Sequence, residues 1–301
     1  MPCIRIQPRA RLVAGSQGSR WRLPVLALLA SVLLTGCVVR IAYGQLEWLT
    51  RWSVESYLDL NDGQERLVRE IIGRNLAWHR ATELPQYAAY LRELRAGLSG
   101  PVSAEFMARQ YATTLVISDR TLQQISPDIA RLLLTLNDEQ VSEFIDEIEE
   151  RNTELAEEYS GYAPEVRRKK QDRSIIRVFR WFTGTLSPDQ EAVVKSHTAG
   201  MHDLTEQWLQ RRRAWQSAFF ILLEGRSGNV AFERQLTDLL LDPNQFDSAE
   251  YRRLVAANRE IAFAMSADVL SSLSPKQRKH LDDRLSGLAT DFDALAAAPA
   301  R

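Results

Sequence analysis

The chain has 301 residues, 45% hydrophobic and 26% charged, with 14 glycines and 11 prolines. That is a globular composition, too apolar for a disordered polymer and long enough to bury a sizeable core. Two cysteines exclude a disulfide scaffold and a cysteine-based zinc module, and a net charge of −1 excludes a strongly basic nucleic-acid binder.

The N-terminus departs from that average. Arg5, Arg9, Arg11, Arg20 and Arg22 lie in a segment, residues 1–36, without one acidic residue, and removing it leaves 33 basic against 39 acidic side chains, a net of −6. An apolar run follows from Leu23 to Leu34, broken only by Pro24 and Ser31. About twelve residues suit the apolar part of an export signal and are too short for a spanning helix. The segment Leu34-Thr35-Gly36-Cys37 resembles the bacterial lipobox. The resemblance implies that residues 1–36 are a lipoprotein signal peptide and that the mature chain begins at Cys37, the site of lipid attachment, with fatty acyl chains such as palmitate. Cys3 is then discarded, so the chain can form no internal disulfide. Several acyl chains on one residue exceed the two-signal threshold for stable anchoring. An uncleaved anchor from Leu23 through Val39, about the minimum length that can span, is the alternative. Val38, not Asp, follows the cysteine, which by the same analogy favours the periplasmic face of the outer membrane.

From Tyr43 onward apolar residues recur at three- and four-residue spacing, and no run alternates long enough to argue a strand. The expected fold is all-α, an elongated multi-helix bundle of amphipathic helices. Helices are predicted over about 45–58, 62–82, 85–97, 103–135, 138–160, 165–184, 188–224, 230–241, 248–271 and 275–296. Pro85, Pro101, Pro127, Pro164, Pro188, Pro243 and Pro275 punctuate them. No Gly/Ser-rich linker divides the chain, so the expected organisation is a lipidated N-terminus and first helix over 37–60 and one helical bundle over 61–301. A continuous 188–224 helix would be about 55 Å long, with an apolar seam at Val194, Met201, Leu204, Trp208, Trp215, Phe219 and Leu222.

Four pentapeptides share the form Leu, small polar, two variable, Gln: residues 60–64, 136–140, 186–190 and 273–277. Each reads as a capping box, in which an Asn or Ser side chain accepts from the backbone amide three residues on and the Gln reaches back to the cap's own amide. Pro188 and Pro275 occupy the first helical turn of two copies. The Gln residues are 76, 50 and 87 apart, which excludes a solenoid of fixed period. These pentapeptides also resemble the Leu-Thr-x-x-Gln motif of Spy/CpxP-like periplasmic proteins, small helical chaperones and stress-sensor adaptors. A closer resemblance is to a proteobacterial family of outer-membrane lipoproteins of unknown function. Tyr43, Leu46, Trp48, Leu49 and Trp52 and the run Trp78-His79-Arg80-Ala81-Thr82-Glu83-Leu84-Pro85-Gln86-Tyr87 look typical of it. That resemblance implies no activity.

Three constellations are candidates for binding. Trp78, His79, Arg80 and Glu83 sit just before Pro85, where His79 and Glu83, four apart on a helix, can pair; the other histidines supply no further ligands at helical spacing, so no metal site is read. Second, residues 138–158 hold ten acidic side chains against Arg151, while 167–180 hold Arg167, Arg168, Lys169, Lys170, Arg173, Arg177 and Arg180 against Asp172. The expectation is an antiparallel hairpin whose opposite charges face each other; the other reading is a basic surface for anionic lipid, lipopolysaccharide or an acidic client. Third, Arg211 and Arg212 are placed to stack on Trp215 and Trp208, unless the arginines simply extend outward from a core helix. Tyr43, Trp48, Trp52 and Tyr57 either pack the first helix or touch a membrane interface. No nucleophile elbow, phosphate loop or zincin motif appears. The expected protein is therefore a non-enzymatic, membrane-anchored periplasmic lipoprotein, without cofactor or nucleic-acid partner, that binds proteins or envelope components; an envelope scaffold is the rival.

Overall fold

A computed structural model describes residues 37–298, so the signal segment read at 1–36 lies outside it, as does the Cys37 side chain. The described residues form an all-α bundle. In chain order the helices are α1 (Cys37–Gly44), α2 (Leu46–Glu55), α3 (Asp62–Trp78), a π-helical turn (His79–Glu83), α4 (Leu84–Gly97), α5 (Ala104–Leu133), α6 (Asp138–Ser160), α7 (Pro164–Thr183), α8 (Pro188–Ala199), α9 (Thr205–Glu224), α10 (Phe232–Leu241), a 3-10 turn (Pro243–Phe246), α11 (Ala249–Ser271) and α12 (Pro275–Ala297). None among the described residues is long and apolar enough to cross a membrane.

Two expected boundaries differ. The segment 62–97 does not break before Pro85. It stays helical through the π turn, whose wider ring lets the Leu84 amide donate to the His79 carbonyl, five residues back. Conversely, 188–224 is two helices, separated at Gly200–Leu204. Asn258 holds that break open from α11, accepting from the His202 amide at 2.8 Å and donating to the His202 carbonyl at 2.9 Å, and the Asp203 carboxylate accepts from the Thr205 amide at 3.0 Å. Met201 and Leu204 of the expected seam therefore sit in the turn.

All four pentapeptides are capping boxes, at Asn61, Asn137, Ser187 and Ser274. The structure adds that they clasp in pairs. The Gln64 and Gln140 side chains exchange amide hydrogen bonds at 2.9 and 2.8 Å, and Gln190 and Gln277 do the same at 3.1 and 2.8 Å. Each side-chain nitrogen also donates to the carbonyl five residues before its partner: Gln64 to Thr135, Gln140 to Asp59, Gln190 to Ser272 and Gln277 to Thr185. Each Gln oxygen, in turn, accepts from its own cap's amide. One side chain thus caps its helix and joins it to another.

Apolar clusters gather round these clasps. The first contains Leu58, Leu133, Leu136, Val141, Phe219, Leu223, Phe232 and Leu236; fully burying a Leu such as Leu223 or Leu236 contributes about 2 kcal/mol. Leu136 and Val141 bracket the cap at Asn137 on this core, as a hydrophobic staple requires. Around the second clasp lie two clusters, Leu270, Leu273, Leu281 and Leu285 with Phe106 and Met107, and Ile176, Leu186, Val194 and Val269. Helix α5, 30 residues and about 45 Å long, links the two regions: Phe106 and Met107 near its start enter the second, Ala130 and Leu133 near its end enter the first.

A lone clasp glutamine keeps its carbonyl and cap partners but buries one N–H unmet, and the Asp59 carbonyl loses its donor when Gln140 is removed. Gln140→Ala should therefore cost about 2 kcal/mol, read by urea unfolding. The Gln64→Ala/Gln140→Ala double variant should lose clearly less than the sum of the single losses; simple additivity would show that the two amides do not act as a unit.

Candidate functional site

The π turn presents the Trp78–Glu83 constellation to α1, α4, α5 and α12. The added residue in this turn changes helical phase, and His79 and Glu83 do not pair as their spacing predicts. Glu83 is wholly buried, and both its oxygens accept from Arg120 of α5, Nε to Oε1 at 2.7 Å and Nη2 to Oε2 at 2.6 Å, a bidentate charge-assisted pair. His79 Nδ1 instead lies 3.0 Å from the Tyr43 hydroxyl, with the two rings stacked at 5.8 Å. Tyr87 meets the His79 ring edge-on at 5.4 Å and Phe292 of α12 at 6.0 Å. Trp78 packs edge-on against the same imidazole, and Arg80 lies over Tyr43 with its guanidinium 5.6 Å from the ring centroid.

Burial pushes His79 below the ordinary histidine range, against the opposing pull of the Glu83 charge. Burial likewise raises Tyr43, with Arg80 opposing. A neutral imidazole can accept the Tyr43 proton at Nδ1, so the two shifts favour the same hydrogen bond. Of the four residues singled out in the sequence, His79 and Arg80 meet Tyr43 of α1, Trp78 packs on His79, and Glu83 turns to Arg120 of α5. Arg120, the partner that decides the behaviour of Glu83, carries no signal in the sequence.

The charge blocks do not form the expected hairpin. Helix α6 packs on α9, whereas α7 packs on α8 and α12, and among the described residues no ion pair joins 138–158 to 167–180. The apolar stripes explain this correction. Val141, Phe144 and Ile145 of α6 enter the first core, but Ile175, Ile176 and Phe179 of α7 enter a different one. A buried apolar side chain contributes about 2 kcal/mol and an exposed ion pair under about 1 kcal/mol, so apolar burial sets the partners. Of the ten α6 carboxylates only Asp138 and Glu147 have ion-pair partners among the described residues, Arg226 and Arg151.

The α7 tetrad divides. Arg167 is held by Asp203 at 2.6 Å and donates to the Tyr162 carbonyl at 2.6 Å, and the Lys170 ammonium sits 3.3 Å from the centre of the Tyr162 ring. Arg168 and Lys169 are exposed and lack an acidic partner among the described residues, as do Arg173 and Arg177. These four join Arg180 and Lys195 along an open groove of ≈ 850 Å³ between α7 and α8, with Ile176 and Ala199 among its apolar lining and Asp172 and Glu191 its acids. Asp172 accepts from Thr198 at 2.5 Å and Glu191 from Arg180 at 2.5 Å. A second groove of ≈ 690 Å³ continues past Arg168 to Tyr159, Tyr162 and Trp208.

Arg211 and Arg212 are structural and do not stack on the tryptophans. Arg211 pairs with Asp247 and donates to the Pro243 carbonyl at 3.0 Å; Arg212 donates to Asn152 of α6 at 2.9 Å. The Trp215 indole nitrogen donates to the Leu239 carbonyl at 3.1 Å, and its ring stacks on Phe219.

Residues 56–252, α3 to the start of α11 with the π turn and the basic helix, match the model of a family of unknown function, DUF6279. The chain belongs to that family. No curated protein and no solved structure matches it. The family segment holds the whole first clasp but ends before Gln277, and it begins after Tyr43.

Two predictions follow from the buried pair and the seated imidazole. Arg120→Ala strands the Glu83 carboxylate and should cost about 3 kcal/mol, part of which Glu83→Leu in the same chain should restore, measured by urea unfolding. Because folding lowers the His79 pKa, the unfolded chain takes up the proton first. Stability is complete above the ordinary histidine range and is lost as pH falls through it. Between about pH 7.5 and about pH 5.5 wild type should therefore lose more stability than His79→Gln; equal losses would show that another group controls the slope.

Proposed function

We propose that this protein is a non-enzymatic lipoprotein of the bacterial cell envelope, anchored at Cys37 on the periplasmic face of the outer membrane. It binds an anionic envelope component, a phosphate-bearing lipid or lipopolysaccharide, along α7. The observation that carries the binding reading is the row Lys169, Arg173, Arg177 and Arg180, spaced by three or four residues and so on one face of the helix. It runs about 16 Å along α7, beside an open groove whose two acids are already engaged. Arg180 is paired with Glu191, but Lys169, Arg173 and Arg177 have no acidic partner among the described residues, and cations so placed focus a field that attracts phosphates. The anchor rests on Leu34-Thr35-Gly36-Cys37 behind an apolar run and a basic segment. Against catalysis at the π turn stands the engagement of its groups: Glu83 is buried with both oxygens on Arg120, and His79 is held by Tyr43.

The test is a variant with Arg168, Lys169, Arg173 and Arg177 all changed to Gln. None of the four has an acidic partner among the described residues, so stability should change by less than about 0.5 kcal/mol. Salt-sensitive binding to phosphatidylglycerol vesicles or to lipopolysaccharide should be lost. Vesicle and lipopolysaccharide binding equal to wild type would defeat the reading, and retained capture of an acidic polypeptide in place of lipid would reassign the face to a protein client.

A further inference from the structure

The four aromatic residues that follow Cys37 divide into two sets. Tyr43 is buried against His79, and Tyr57 packs on Phe144 with Arg151 over its ring at 3.8 Å. Trp48 and Trp52 do not join the core: they are 52% and 58% exposed, and their rings stack at 6.3 Å. Leu49, beside them on the same side of α2, and Ile41 on α1 are exposed as well. At about 100° per residue Trp48, Trp52 and Leu49 fall within an arc of about 100° of α2, the width of an amphipathic helix's apolar stripe.

What covers this face follows from where the chain leads. Cys37 is the first residue of α1, and the apolar run Leu23–Leu34 precedes it in the sequence. Whether Cys37 is acylated or the segment from Leu23 to Val39 stays as an anchor, the bilayer begins at the start of α1. Helix α1 is no loose tether. Arg40, three residues on, pairs with the buried Asp291 of α12 at 2.7 Å, and Tyr43 is locked on the π turn. Ile41 lies about 6 Å along the helix from Cys37. The folded body is therefore fixed at the membrane, and an apolar face next to the anchor point would otherwise meet water. Tryptophan combines a large apolar ring with one N–H donor and prefers the interfacial layer of a bilayer.

We infer that Trp48, Leu49 and Trp52, with Ile41, are a membrane-interface docking face that lays α1 and α2 on the bilayer surface beside the anchor. The occupant is lipid rather than protein. The inference rests on the reading that a membrane anchor, lipid on Cys37 or an uncleaved segment ending at Val39, adjoins the start of α1. Docking fixes the orientation of the bundle relative to the membrane, a property that an anchor on a flexible linker cannot confer.

The full-length protein, expressed in bacteria and purified in detergent, is reconstituted into phosphatidylethanolamine/phosphatidylglycerol vesicles with and without brominated acyl chains. Bromine quenches only indoles that enter the bilayer. Wild type should lose tryptophan emission in the brominated vesicles, and Trp48→Phe/Trp52→Phe, which keeps both positions aromatic and apolar but removes these two emitters, should lose that quenching. Metabolic labelling with an acyl analogue in wild type and Cys37→Ser reads the anchor separately. Quenching that depends on Trp48 and Trp52 supports the docking face whether or not Cys37 is labelled; absent labelling would replace the lipid anchor by the uncleaved segment. No quenching in wild type, or equal quenching in the double variant, overturns the docking face, even where Cys37 is labelled.

Discussion

Helices that start side by side confront each other with amide groups that no helical carbonyl satisfies. The clasps solve this at both ends of α5 with one kind of side chain. A Gln at the third helical position is long enough to accept from its own cap and still turn its NH2 group outward. When two such residues meet, each supplies what the other lacks, and the remaining N–H of each reaches the carbonyl before the partner's leucine. The apolar clusters then close over a junction that contains polar atoms but no unmet hydrogen bond. A neutral amide pair costs far less to bury than an ion pair, which suits a position among Leu136, Val141 and Leu223.

The helix starts were legible in the sequence because a capping box is local: donor, acceptor and cap lie within four residues. Which boxes meet was not legible. Gln64 finds Gln140 and Gln190 finds Gln277 through packing decided by residues scattered over the whole chain. The same limit applies at Glu83. Its spacing from His79 suggests a pair, yet its partner Arg120 lies 37 residues away on α5, in a stretch with nothing to mark it. Proline misled in one place and not in others, since Pro188 and Pro275 begin helices but Pro85 is absorbed within one.

The charge blocks show how a strong sequence signal loses to a weaker-looking one. Ten carboxylates followed by seven cations suggest attraction across a short turn, but in water such attraction is small and diffuse. The apolar stripes of α6 and α7 lead them to different cores, leaving a cationic helix and an anionic helix each facing outward. This separation gives two chemically opposite surfaces on one chain, and the family segment extends over both of them.

The π turn adds a final consequence. It behaves as one surplus residue in an otherwise continuous helix, and an α-helix advances about 100° for each residue. Everything from Leu84 to Gly97 is therefore rotated by that angle relative to α3. Excising a single residue between His79 and Leu84 would restore ordinary winding and turn the α4 face that packs on α12 toward solvent. Leu91 and Leu94 would leave their cluster together. The two halves of this helix work like shafts joined by an offset coupling, so a substitution here acts on its own contacts whereas a change in length acts on the whole of α4.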